Sequence, residues 1–287
     1  MSQAPRAGPV ALCTVIAQNG EAVANAYARW LHQHIIAAGE MDKDTGKSIG
    51  HPHLSGNRHW LLANTVGRQW LHILEAPEAA ERDALRTFGW LAMEVLVEDV
   101  DGLALSLAGS PFELLRPPAD LDVSDRIRAC QVRGPAGEIL YLTQVDGEVP
   151  PFELPRCEAP VDHLFIPVLS TPSREDSLDE YSRISGNTGL SFDTKITVVN
   201  QARGFDLERR HPVATLQLAG SALIEIDQIA QTRESPEGVT TGMTCVAFHR
   251  RGEADENSLR CEDGPFAGQR ATNFIGCAGE RYTLVYS

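Results

Sequence analysis

No two of the six cysteines (Cys13, Cys130, Cys157, Cys245, Cys261 and Cys277) are spaced as CxxC, so the commonest zinc-ribbon and dithiol signatures are missing. Cys13, Cys130 and Cys245 sit in apolar, strand-like contexts, and the set reads as the reduced, mostly buried thiols of a cytoplasmic protein. No uninterrupted apolar run approaches the roughly 20 residues of a membrane-spanning helix. The opening "MSQAPRAGPV" lacks the charged stretch and apolar core of a secretory leader. Basic runs are absent too. Lys and Arg total 25 against 39 Asp and Glu, a net charge of −14, which disfavours nucleic-acid backbones and anionic membranes. The partner that remains is a small molecule, neutral or cationic. The 287 residues, 43% of them apolar, can build one large domain or two of ordinary size.

What is present is a pattern that occurs four times. "ALCTVIAQN" (11–19), "LAMEVLVED" (91–99), "DHLFIPVLS" (162–170) and "TCVAFHRRG" (244–252) each read as a strand running into a polar turn at Asn19, Asp99, Ser170 and Gly252. Seven residues before each turn stand Leu12, Ala92, His163 and Cys245, equivalent places on one strand face. A helix is expected to follow. The clearest is 21–40, in which Val23, Tyr27, Trp30, Leu31, His34 and Ile35 share a buried face. Shorter helices are expected at 101–112 and 174–186, and a stub at 256–262. Each unit closes on a strand: 68–76, 137–145, 221–229 and 279–287. The proline-rich "EVPPFELPRCEAP" (148–160) divides the chain into two halves, 1–150 and 158–287, of two units each.

"VDHLFIPVL", "MEVLVEDVDGLALSLAGSPFEL" and the turn-and-strand "GPAGEILYL" together resemble the vicinal oxygen chelate superfamily, which includes glyoxalase I, bleomycin-resistance proteins and extradiol dioxygenases. The resemblance implies an α+β fold of four βαβββ modules forming two cupped-sheet, glyoxalase-like domains. It also implies metal ligands on the first and last strands of paired modules. Those positions are Leu12, His72, Ala92 and Tyr141 in the first half and His163, Glu225, Cys245 and Thr283 in the second. One imidazole and a phenol cannot hold a cation well, so the first half is expected to be metal-free, with His72, Tyr141 and Trp70 lining a pocket. His163, Glu225 and Cys245 are the candidate ligands of a divalent metal (Zn, Fe or Mn), if one is used. Glu225 is the candidate catalytic carboxylate.

Each residue also has a plainer role open to it. His163 fits a strand-end histidine bonded to backbone, Glu225 a solvent-facing carboxylate and Cys245 a core thiol. "HPHLSGNRH" (51–59) reads as a solvated or lid segment, and Glu94 with Glu98, Asp99 and Asp101 as a solvated acidic patch. Two functions follow from the resemblance: a metal-assisted lyase or isomerase acting on a small carbonyl or aromatic compound, or a non-catalytic small-molecule binding protein. Ring-cleaving dioxygenation fits less well, because Cys245 and Thr283 replace the second histidine and the carboxylate that it needs. The chain is expected to act as a monomer or homodimer.

Overall fold

A computed structural model describes residues 6–121, 124–256 and 258–286. The first unit runs β1 (Ala7–Ala17), α1 (Gly20–Trp30), β2 (His34–Glu40), α2 (Lys43–Ser48), β3 (Arg58–Ala63), β4 (Gln69–Glu75). The second runs β5 (Gly89–Val97), α3 (Val100–Ser106), β6 (Glu113–Leu121), β7 (Ser124–Arg133), β8 (Ile139–Val145). The third runs β9 (Val161–Ser170), α4 (Arg174–Ser185), β10 (Leu190–Lys195), α5 (Thr197–Arg203), β11 (Arg210–Gln217), β12 (Leu223–Asp227). The fourth comprises β13 (Gly242–Arg250), β14 (Leu259–Arg260), β15 (Arg270–Ile275) and β16 (Arg281–Tyr286). The polar turns after β1 and β5 are helix caps: Asn19 accepts from the Ala22 N–H and Asp99 from the Gly102 N–H, each satisfying a donor that the first helical turn leaves free.

The helix expected over 21–40 stops at Trp30. His32 takes a positive φ of 54°, which ends the helical path, and His34–Glu40 pairs with β3 as a strand. The β-branched Ile35 and Ile36 favour that outcome. The stub expected at 256–262 contains the short strand β14, and no helix lies among its described residues.

Two eight-stranded sheets carry the fold, one ordered β14-β15-β16-β13-β1-β4-β3-β2 and the other β10-β11-β12-β9-β5-β8-β7-β6. Units one and four thus share one sheet, and units two and three share the other. This corrects the expected grouping. Neither sheet is confined to 1–150 or 158–287, because the first strands pair across the proline-rich segment: β1 runs antiparallel to β13, and β5 to β9. The sheets meet along these same strands. Cys13 Sγ lies 3.4 Å from Met93 Sδ, within a core that gathers Trp90, Leu164, Leu169 and Val246 from the other units.

A repeated turn ties the units together a second way. Gly134-Pro-Ala-Gly-Glu138 and Gly276-Cys-Ala-Gly-Glu280 precede the last strands of units two and four. In each, the glutamate folds back to accept from the alanine N–H, at 2.8 Å for Glu138 and 2.9 Å for Glu280. A Cβ on Gly134 or Gly276 would collide with that carboxylate. The second acceptor site of each is filled by a helix of the preceding unit: Tyr27 of α1 donates to Glu138, and Tyr181 of α4 to Glu280, both at 2.8 Å.

Candidate functional site

The cup of units one and four is filled by its own chain. Met41, Ile49 and Leu54, from the segment around α2, pack with Phe266 onto Leu12, Ile16, Ala247 and Val285. The Thr283 hydroxyl donates to the Ser48 carbonyl, pinning the segment to the floor. The 51–59 stretch is therefore part of a plug. His51 is 5% exposed and His59 is 9% exposed. His72 is fully buried, its Nδ1 at 3.2 Å from Thr14 Oγ1 and its Nε2 at 3.0 Å from His59 Nδ1. Burial, then the neighbouring His59, pushes its pKa down to about 3. Cys245 belongs to this cup, with its Sγ 3.5 Å from Thr283 Oγ1. Burial raises the thiol to about 11, so it is a protonated core group. Trp70 faces the core and donates to Gln33.

The cup of units two and three keeps a cavity of about 470 Å³. Ala84, Leu85, Ile196 and, from α5, Val198 and Val199 cluster with the floor residues Ala92, Tyr141 and Val168. Strand alternation sets its floor. Ile224 and Ile226 enter the shared core, and Glu225 turns the opposite way into the cavity. Glu94 lies beside Tyr141 in the β5–β8 register, and Ala92 and Glu225 flank Val168 of β9 from either side. Phe165 and Phe192 supply apolar wall. Asp227, two residues past Glu225 on the same strand face, sits fully buried opposite Ser170.

The electrostatics of this floor are lopsided. Burial, then the charge of Glu225, pushes Glu94 up to about 8, against a smaller opposing pull from the Thr143 hydroxyl. Burial pushes Glu225 up to about 7. Burial, then Glu225 and Glu94, holds Asp227 well above the usual carboxylate range. Among the described residues, no donor reaches either Asp227 oxygen, the Tyr141 hydroxyl or the Ser170 hydroxyl. The carboxyl of Glu225 is the neighbour that can share a proton with Asp227.

The expected metal set is not assembled. Cys245 lies in the other sheet. Glu225 is level with Val168, and His163 lies five residues earlier on β9, about 16 Å along the strand. His163 is held between the Arg68 guanidinium, 2.9 Å from Nδ1, and Asp162, 2.8 Å from the same atom. Burial raises the Asp162 carboxyl, but bonds from His163 and the Glu158 N–H outweigh it and hold the group below its ordinary value. His163 is thus a strand-end residue joining units one and three. Of the expected pocket residues, Tyr141 lines the open cavity; His72 and Trp70 do not. Among the described residues, no group of three or more His, Cys, Asp or Glu side chains has the geometry of a metal centre. The open floor offers carboxyls and a phenol, with no imidazole or thiolate, which does not fit the donor preferences of Zn or Fe.

Glu94 was misread as part of a solvated patch; it is 8% exposed. The sequence carried a usable signal, since Glu94 in "AMEVL" is flanked by apolar residues just as Glu225 is in "LIEID".

No family model and no curated protein matches this chain. Solved structures do. Glyoxalase I from Zea mays is 12% identical, with 98% of this chain and 92% of that chain covered and a TM-score of 0.62. A Bacillus subtilis protein to which a dioxygenase activity is ascribed is 12% identical, with 98% and 86% covered and a TM-score of 0.65. The chain therefore has the fold of the vicinal oxygen chelate superfamily: two curled eight-stranded sheets built from four modules. Among the described residues no helix is long and apolar enough to cross a membrane.

Proposed function

We propose that this chain is a small-molecule binding protein that seats its ligand in the cup of units two and three. One observation carries the reading: of two equivalent cups, one is plugged by its own chain while the other keeps a cavity with unpartnered polar groups on its floor. Its volume falls in the range of sites that enclose a metabolite-sized molecule, about 300–1,000 Å³. Filling the cavity by Ala129→Trp should abolish the thermal stabilisation given by any ligand found by screening, and leave the unliganded melting temperature within a few degrees. Stabilisation that survives the substitution would place the ligand elsewhere.

A second reading is favoured by the raised carboxyls. Glu225 and Glu94 titrate near neutrality, as a general acid–base pair must, and they face the same cavity. A lyase or isomerase moving a proton on a small carbonyl or aromatic compound would use Glu225 as that base. Glu225→Gln would then lower turnover of bound substrate by roughly 100-fold or more, a loss much larger than any loss of binding. The expected set of His163, Glu225 and Cys245 supplies no shared metal site, so no step is assigned to a metal.

A further inference from the structure

We infer that the open cup takes an organic cation: an amine with a ring-sized apolar body, its charge seated between Glu94 and Glu225. The inference rests on the reading of that cup as a ligand site and names the ligand's class. Two carboxyl groups, Glu94 of β5 and Glu225 of β12, line the same cavity, and fully buried Asp227 follows Glu225 by two residues on β12. The groups facing them are Tyr141 of β8 and Ser170 of β9, neither of which carries positive charge. The basic side chains on the lining belong to the outer strands and are engaged there: Arg116 of β6 donates to Gln201, and Lys195 of β10 pairs with Glu208. The charges acting on Glu94 and Asp227 are those of other carboxyls. A buried acidic cluster without a cation is an incomplete ion pair, stable only while it holds protons.

The second observation is independent of charge. Tyr141 is nine-tenths buried and lines the cavity, and its hydroxyl has no partner among the described residues. Its oxygen can accept, and an ammonium group or its polarised methyls would supply a partner. Phe165 and Phe192 line the same cavity and supply aromatic surface for the ligand. The net charge of −14 draws cations toward the cup.

Calorimetric titration of the intact protein with benzyltrimethylammonium, benzyl alcohol and benzoate tests this. The cationic probe does not titrate, so any pH dependence belongs to the protein. Expected is binding at least about tenfold tighter than benzyl alcohol at pH 8, with benzoate weakest. Affinity should rise from about pH 6 to about pH 8, with protons released on binding, because the bound cation favours ionised carboxylates. Glu225→Gln and Glu94→Gln, which keep size and shape, should each weaken the cation about tenfold and leave benzyl alcohol unchanged. Benzyl alcohol binding as well as the cation, or cation affinity falling with pH, would overturn the inference but keep the cup as a ligand site. Binding of none of the three would overturn both.

Discussion

Glu94 shows how a single buried carboxyl sets a pH dependence. Its folded pKa, about 8, lies above the ordinary carboxylate value, so the folded state holds its proton more tightly than the unfolded chain does. The stability linked to that proton is complete below about pH 4 and is lost as pH rises toward 8. Glu94→Gln removes the cost of ionisation without changing shape. The variant should melt above the parent at pH 8, by an amount on the order of 2 kcal/mol, and close to it at pH 5. Equal or lower stability at pH 8 would show that Glu94 is solvated after all. Tyr27 is the complementary case. Its hydroxyl fills the acceptor site of buried Glu138, so Tyr27→Phe should cost about 1–3 kcal/mol in denaturant unfolding. Adding Glu138→Gln should not cost as much again, because the two residues share one interaction.

At the scale of elements, the segment that plugs the first cup answers to acid. His51 and His72 are pushed down to about 4 and about 3, chiefly by burial, and His59 is lowered for the same reason. Histidines with depressed folded pKa values bind fewer protons when folded than when unfolded. Their contribution is whole above about pH 6.5 and is lost as pH falls. Amide exchange across 41–57 should therefore accelerate between pH 6 and pH 4 more than exchange in β11 and β12. Uniform acceleration would mean that the three rings do not govern the plug. How far such features were legible depends on the kind of information each one needs. The four first strands, the capped turns after β1 and β5 and the four closing strands stood out, because alternation and turn chemistry are local. Tyr141 and Glu225 were placed at ligand-equivalent positions by the family resemblance, with alternation fixing the strand face. The 21–40 helix was overread, since an apolar stripe over 34–40 serves a strand as well as a helix, and His32 gives no warning of its positive φ. The plug was invisible because polar, histidine-rich composition looks like loop until a cup closes over it.

Pairing between units belongs to the whole molecule, and no periodicity encodes it. Alternation tells which face of β1 is buried, but its partner, β13, begins more than 220 residues later. That is why the candidate metal set failed: it assumed that His163, Glu225 and Cys245 share a cup, and the pairing sends Cys245 to the other sheet. The same pairing governs how the chain comes apart. Each sheet draws strands from both sides of 148–160, and the Tyr27–Glu138 and Tyr181–Glu280 bonds tie units one to two and three to four across the sheets. Every unit is thus bonded to at least two others. A protease nick confined to 148–158 should leave the two pieces co-eluting on gel filtration as one particle of the parent's size. Unfolding in denaturant should then remain a single transition, shifted to lower midpoint by the lost connection. Two separate transitions, or pieces that elute apart without denaturant, would mean that each half holds a complete core of its own, which the strand order forbids.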